Sequence, residues 1–252
     1  MIDIHTHLLP GVDDGSPSAE VSIPILERFV TEGVDVVVCT PHLEASRAER
    51  APHEQYEAIF DDLRSQCPPG MTLLRGWEIM LDAPGVDLRD SRFGLGGSKA
   101  VLVEFPRMNV PTGAAGELMR LRTSGIIPVL AHPERYWGCT PAKVREWRDA
   151  GAAIQMDASM LLGSPNASKL ARALLAEGLV DCIASDNHGD RRTLAGARQW
   201  LLEIDASEQA ELLTRGNARR MLDGQPPLPV APLPSVERGM LTRLKQLVLG
   251  RG

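Results

Sequence analysis

The feature that most constrains this chain is an alternation of short apolar runs of strand length with stretches of helical spacing. The runs are 1–5 (MIDIH), 34–40 (VDVVVCT), 72–79 (TLLRGWEI), 100–105 (AVLVEF), 126–131 (IIPVLA), 152–157 (AAIQMD) and 180–185 (VDCIAS). Runs this apolar suit strands buried on both faces, and a helix after each joins them as parallel neighbours. One intervening helix spans Ser18–Gly33, with Ser18 as N-cap and Gly33 as stop; another starts at Thr140-Pro141, where Thr caps and Pro takes the first turn. The segment 80–99 is less regular and reads as a short helix or a loop. Seven such units in 252 residues fit a distorted, TIM-like (β/α)7 barrel, with an open doubly wound sheet as the competing topology.

The polar residues favour the barrel. Of six histidines, five (His5, His7, His42, His132 and His188) follow or end an apolar run, and only His53 falls elsewhere, at a helix start. Residues two apart on a strand point the same way, so His5 and His7 can reach one metal ion, and Asp186-x-His188 repeats the spacing. Glu78 and Glu104 end two further runs, and Asp14 sits in the Gly11-Val-Asp-Asp-Gly15 turn after the first. In a β/α barrel the strand C-termini converge on one mouth, so these nine positions meet. A lone histidine beside apolar residues is usually a hydrogen-bonded core residue, and a lone strand-end glutamate usually pairs with a cation. Nine such residues at one end of successive strands instead indicate a multi-metal site.

Composition narrows the class. Hydrophobic residues make up 43% and charged residues 24%, as in ordinary globular domains, and the net charge of -6 argues against a nucleic-acid binder. The four cysteines, Cys39, Cys67, Cys139 and Cys182, are scattered without a CxxC pair, which suits reduced thiols in the cytoplasm. The first residues lack a basic region and apolar core of a signal peptide, and no apolar run is long enough for a membrane span. After residue 224, five prolines between Pro226 and Pro234 form a stiff linker, followed by Met240, Leu241, Leu244, Leu247 and Val248 at helical spacing. The chain therefore divides into a catalytic domain, 1–224, and an appended linker and amphipathic helix, 225–252. That helix packs on the barrel or on another subunit of a homo-oligomer.

The segments Ile2-Asp-Ile-His-Thr-His7, Thr40-Pro-His42, Trp77-Glu78, Val103-Glu-Phe105, Ala131-His-Pro-Glu-Arg-Tyr136 and Ala184-Ser-Asp-Asn-His188 resemble the motif set of the polymerase-and-histidinol-phosphatase superfamily. Leu8-Leu-Pro-Gly-Val-Asp-Asp-Gly15 and Gly216-Asn-Ala-Arg-Arg-Met-Leu222 more narrowly resemble the bacterial manganese-dependent protein-tyrosine phosphatases of capsule and exopolysaccharide gene clusters. The resemblance covers residues 1–222. It implies a trinuclear site in which His5, His7, Glu78 and Asp186 hold one metal and Glu78, Glu104 and His132 a second, with Asp14, His42 and His188 holding the third. Asp14 stands where many superfamily members have histidine, which favours the tyrosine-phosphatase branch; Asp13 is a weaker candidate for the same role. The resemblance also implies a phosphotyrosine-bearing protein as partner, a bacterial tyrosine kinase.

The donors suit this chemistry. Imidazole and carboxylate without thiolate favour Mn, Fe or Zn in open coordination, with Mn2+ implied by the family. Three divalent ions outweigh four carboxylates, so the centre attracts phosphate, and a hydroxide bridging two metals is the expected nucleophile, since metal binding lowers the pKa of water to about 7. Arg135, three residues after His132, is placed to grip phosphate oxygens, and Arg192 or Arg191 can act similarly. Cys139-x5-Arg145 matches the spacing of cysteine-dependent phosphatases, but the intervening residues contain no glycine and include Pro141, so they suit a helix start better than a phosphate-wrapping loop. Two other functions compete: a phosphatase or phosphodiesterase for small esters such as histidinol phosphate, and a catalytically silent, metal-stabilised module in polysaccharide export.

Overall fold

The computed structural model of the protein describes residues 1–234. The helix expected over 240–248 lies outside the described residues. The described residues form nine strands, most followed by helices: β1 Ile2–Thr6, β2 Val36–Cys39, β3 His42–Glu44, β4 Thr72–Arg75, β5 Glu78–Met80, β6 Ala100–Glu104, β7 Ile127–Ala131, β8 Ala153–Asp157 and β9 Cys182–Ala184. The expected run 72–79 is split in two, and a short strand not expected from the sequence, β3, follows the run 34–40. Thr40-Pro41 separates β2 from β3, and Gly76-Trp77 separates β4 from β5. A proline cannot donate to a ladder, which accounts for the first break.

All pairings are parallel, in two sheets ordered β1-β2-β4 and β3-β5-β6-β7-β8-β9. Past the end of β9, Asn187 bridges in parallel to Thr6 of β1. There Asp186 N–H donates to His5 O at 3.0 Å, and His7 N–H to Asn187 O at 2.8 Å. Helices α1 Ala19–Thr31, α2 His53–Ser65, α3 Ala114–Thr123, α4 Pro141–Asp149, α5 Ala158–Leu162, α6 Ser168–Ala176, α7 Leu194–Glu203, α8 Ser207–Glu211 and α9 Asn217–Leu222 fill the connections. Segment 80–99 carries two short 3-10 turns, Ser91–Phe93 and Leu95–Gly97.

The helix ends follow local chemistry. Thr140 caps α4, its hydroxyl accepting from Lys143 N–H at 3.3 Å, with Pro141 at the first position. Ser18 occupies the N-cap of α1 in extended backbone but makes no side-chain cap bond. α1 ends at Thr31, and Gly33 beyond it turns at φ +85.

The apolar residues form two cores. One lies between strands and helices and includes Phe29, Leu63, Ile79, Leu118 and Trp147. The other gathers alternate strand positions, Ile2 and Ile4, Val36 and Val38, Leu102, Val129 and Ala184 among them, with Met221 of α9 packed against them. That period of two follows from the pleat. The prolines after residue 225 are laid along this body: Asn217 and Leu228 exchange two hydrogen bonds, and Val230 is buried beside Gly178.

Candidate metal centre

The strand ends bring all nine sequence-predicted ligands together. β1 supplies His5, with His7 just beyond its end. His42 and Glu78 open β3 and β5, Glu104 closes β6, His132 follows β7, and Asp186 and His188 follow β9. One extra residue between Asp3 and Thr6, relative to β2, forms a bulge in β1. Asp14 comes from the loop after β1, which folds back so closely that Ser16 N–H donates to His7 O at 2.8 Å. A Cβ on Gly15 would lie 2.2 Å from the same carbonyl, so only glycine fits there.

Glu78, 1% exposed, is the hub. Its Oε1 lies 2.8 Å from His132 Nε2. Its Oε2 lies 3.3 Å from His5 Nε2, 3.2 Å from His7 Nε2 and 3.0 Å from His42 Nδ1. Asp186 Oδ1 stands 3.2 Å from His5 Nε2 and 3.3 Å from His7 Nε2, and those two nitrogens are 3.2 Å apart. Both Glu78 Oε2 and Asp186 Oδ1 are buried without a hydrogen-bond partner. Two nitrogens and two orphaned oxygens at these separations offer donors of the kind a divalent cation takes. A second set, Glu78, Glu104 and His132, is looser, with His132 Nε2 at 4.0 Å from Glu104 Oε2. In a third, Asp14 Oδ1 faces His42 Nε2 at 3.2 Å and His188 Nε2 at 3.6 Å. His7, Asp14, His42 and His188 together offer donor atoms within 4.8 Å of one another, as do His42, Glu78 and Glu104.

Groups behind the ligands fix their tautomers. His5 Nδ1 meets Gln155 Oε1 at 2.9 Å, His7 Nδ1 meets Asp13 Oδ2 at 2.7 Å, and His188 Nδ1 meets the Asp186 carbonyl at 2.9 Å. Those oxygens only accept, so each Nδ1 carries a proton and each Nε2 is the nitrogen turned toward the centre. Asp13 therefore orients His7, whereas the sequence left it as a weaker alternative to Asp14. Two of the candidate ligands, His132 at φ 30 and Asp186 at φ 48, sit in left-handed backbone, strain of the kind held at functional sites.

Electrostatics follow the same geometry. Burial works against a charged His5, but Glu78 and Asp186 outweigh it and hold the imidazole at about 9. His7 is likewise raised despite burial, by Asp13, Asp186 and Glu78. Burial opposes ionisation of Glu78, yet His5, His132 and His42 pull its pKa well below the ordinary glutamate range. Burial and the nearby Glu78 push Glu104 up to about 7. Burial lowers His132, and burial with His7 lowers His188, so these two are neutral and ready to bind a cation.

The arginines reach the centre from one side. Arg135 ion-pairs with buried Asp157 and, through NH1, with Asp186 Oδ2 at 2.6 Å. Arg192 NH1 approaches the same Asp186 oxygen at 3.3 Å, and its Nε binds Asp190 at 2.8 Å. Arg191 is exposed. Gln155 and Asp157 escaped the sequence reading. The signal was there, two polar residues two apart in an otherwise apolar, fully buried strand. His53 begins α2, away from the ligands, with its ring against Trp77 and Phe93.

Cys139 lies outside this cluster. Burial, with Glu134 nearby, pushes its thiol up to about 12, and Arg145 is paired with Glu177 at 2.5 Å. A thiol that stays protonated at neutral pH is no nucleophile.

Residues 1–223 match the capsular polysaccharide synthesis family CpsB/CapC. The chain belongs to that family. Among CpsB/CapC relatives, the tyrosine-protein phosphatase YwqE of Bacillus subtilis is 29% identical over 91% of this chain and 96% of its own length. The tyrosine-protein phosphatase CpsB of Streptococcus pneumoniae is 30% identical over 75% of this chain and 83% of its own. A crystal structure from a study of YwqE and CpsB as metal-dependent tyrosine phosphatases superposes with a TM-score of 0.71. That match is 28% identical and covers 92% of this chain and 100% of that one.

Proposed function

We propose that this CpsB/CapC member is a metal-dependent protein-tyrosine phosphatase acting on a bacterial tyrosine kinase that controls capsule or exopolysaccharide synthesis. The observation that carries the reading is the pair of buried, unpartnered oxygens, Glu78 Oε2 and Asp186 Oδ1, facing the Nε2 atoms of His5 and His7. Two buried, unpartnered carboxylate oxygens beside two imidazole nitrogens fit a divalent cation better than a hydrogen-bond network. His5, His7, Glu78 and Asp186 would hold one ion, Glu78, Glu104 and His132 a second, and Asp14, His42 and His188 a third. Imidazole and carboxylate donors without thiolate suit Mn2+, Fe or Zn, with Mn2+ implied by the family resemblance. When bound, the ions supply an activated water at neutral pH and neutralise charge on the phosphoryl group.

The remaining work falls to the chain. A guanidinium has five N–H donors, so Arg135 and Arg192, after their contacts with carboxylates, retain donors for phosphate oxygens. Asp157 and Asp186 hold the Arg135 fork in one orientation. Asp13 and Gln155 hold the Nδ1 protons of His7 and His5, so that the Nε2 atoms point inward and are the nitrogens that give up a proton to a cation. The leaving phenolate, with a pKa of about 10, departs with less protonation than an aliphatic alkoxide needs.

We also read the two sheets as one distorted (β/α)7 barrel. The matching two-residue gaps between β2 and β3 and between β4 and β5, the Thr6–Asn187 bridge and the core of alternate strand positions support it. The cytoplasm suits its substrate and its four free cysteines. The test compares a phosphotyrosyl peptide with histidinol phosphate, with Mn2+ and with EDTA, alongside elemental analysis. More than one ion per chain and chelator-sensitive hydrolysis of the peptide are expected. Full activity in EDTA, or preference for histidinol phosphate, would overturn the reading.

A further inference from the structure

Beside the centre, the loops after β6 and β7 carry groups that the chemistry does not use. Met108 is 75% exposed and Trp137 76%, the most exposed large hydrophobics among the described residues. The two loops are joined, Trp137 N–H donating to the Arg107 carbonyl at 2.8 Å. Arg107 comes three residues after Glu104, and Trp137 two residues after Arg135, so both loops grow directly out of the site. Arg107 is exposed and makes no ion pair among the described residues, yet lies near enough to Glu104 for its charge to lower that carboxyl's pKa.

The indole is held on a firm base. Tyr136, next to it, is 3% exposed; its hydroxyl donates to Ala131 O at 2.9 Å and accepts from Phe105 N–H at 3.1 Å. Singly exposed apolar residues are ordinary, but a tryptophan, a methionine and an arginine on two tethered loops match the composition of protein-contact sites. A phosphotyrosine bound at the metal centre brings its flanking residues to this rim, because each extended residue spans only about 3.3 Å.

Resting on the phosphatase reading, we infer that the Arg107–Met108–Trp137 rim binds the polypeptide flanking the phosphotyrosine. An apolar side chain of the substrate packs on the indole and thioether, and an acidic one meets the guanidinium. The rim thus selects proteins and peptides over small phosphate esters, and it selects acidic, apolar flanks over basic ones.

The experiment measures kcat/KM on para-nitrophenyl phosphate, on a phosphotyrosyl peptide with Leu and Glu flanks, and on one with Lys flanks. Trp137→Ala lowers kcat/KM for the Leu/Glu peptide about tenfold or more, mainly through KM, as loss of a buried aromatic anchor does. Its rate on the nitrophenyl ester stays within about twofold, because uniform binding and chemistry separate in this way. Arg107→Glu reverses the preference between the two peptides. Equal losses on ester and peptide, unchanged peptide kinetics, or conversion of an oligomer to monomer by Trp137→Ala without a peptide-specific loss would each overturn the inference. Wild-type protein inactive on all three substrates would sink the phosphatase reading and this inference with it.

Discussion

Replacing Arg135 with alanine tests how the site is held as well as how it works. Asp157 is wholly buried, and Arg135, whose side chain is 14% exposed, is its ion-pair partner. In the variant the carboxylate keeps only the Ser159 N–H and hydroxyl, each at 2.7 Å. Removing one partner of a buried pair costs about 3–5 kcal/mol, and the two Ser159 bonds place this case near the lower end, about 3 kcal/mol. For a chain of this size that corresponds to a fall in Tm of about 6–12 °C. Melts followed by circular dichroism at saturating Mn2+ measure it. Asp157→Asn on the Arg135→Ala background removes the stranded charge, so the double variant should be the more stable of the two, with a coupling of about 2 kcal/mol. Turnover on phosphotyrosyl peptide, assayed below the new Tm, should fall by a further barrier of about 2–4 kcal/mol if the guanidinium contacts phosphate oxygens. A Tm within about 1 °C of wild type with no coupling would refute the account of Asp157. Wild-type turnover at saturating metal would refute the role of Arg135 in the reaction.

Other substitutions separate the remaining parts. Cys139→Ser should keep nearly full activity, within about 0.5 kcal/mol in stability, whereas His42→Ala should lose most of its turnover; the reverse pattern in folded protein would restore the cysteine mechanism. Glu78→Gln keeps the shape but removes the oxygen that faces three imidazoles, so elemental analysis should find fewer ions per chain than in wild type. Gln155→Leu removes the acceptor behind His5 and should weaken Mn2+ binding about 10–100-fold, with Gln155→Glu recovering much of it; equal affinities in all three proteins would deny Gln155 a positioning role.

The cluster of candidate ligands was legible because all but Asp14 share a strong local signature: a histidine or carboxylate at or just past the end of an apolar run. Long-range convergence then follows from parallel β/α topology alone. Strand breaks were not legible in the same way. Gly76-Trp77 lies inside a run that reads as continuous, Thr40-Pro41 falls at the end of another with β3 beyond it, and only the register shows that both neighbours break at the same level. Supporting residues were harder still. Asp13 and Asp14 are adjacent and chemically identical, and only the turn around Gly15 decides which faces His7 Nδ1 and which faces His42. Arg135 stands beside the cluster, but its contacts run to Asp157 and Asp186, and that pairing depends on packing between β7 and β8. Gln155 needed the question of what a polar residue does in a buried strand.

The protonation pattern gives the metal-free and metal-loaded forms opposite responses to pH. Without metal, His5 binds its proton with a pKa of about 9 against an ordinary 6.5, held there by Glu78 and Asp186 in spite of burial. Its contribution to folding is therefore complete below pH 6.5 and lost as pH rises through about 9, an upper bound of about 3 kcal/mol. Glu104, raised to about 7 by burial and Glu78, has the same sign: its proton favours the fold, and stability falls as pH climbs from the ordinary glutamate range to 7. Metal reverses this, because imidazole and carboxylate must shed their protons to ligate. At fixed free Mn2+, the Tm of the loaded protein should rise, and that of the EDTA-treated protein fall, between pH 6.5 and 9. Loading at pH 7.5 should release at least about two protons per chain, from His5 and His7, both of which are raised. A pH indicator in weak buffer, or calorimetry in buffers of different ionisation enthalpy, counts them. Parallel pH slopes for the two forms, or no proton release, would mean that the imidazoles are already neutral and that the carboxylates do not hold the metal-free centre together.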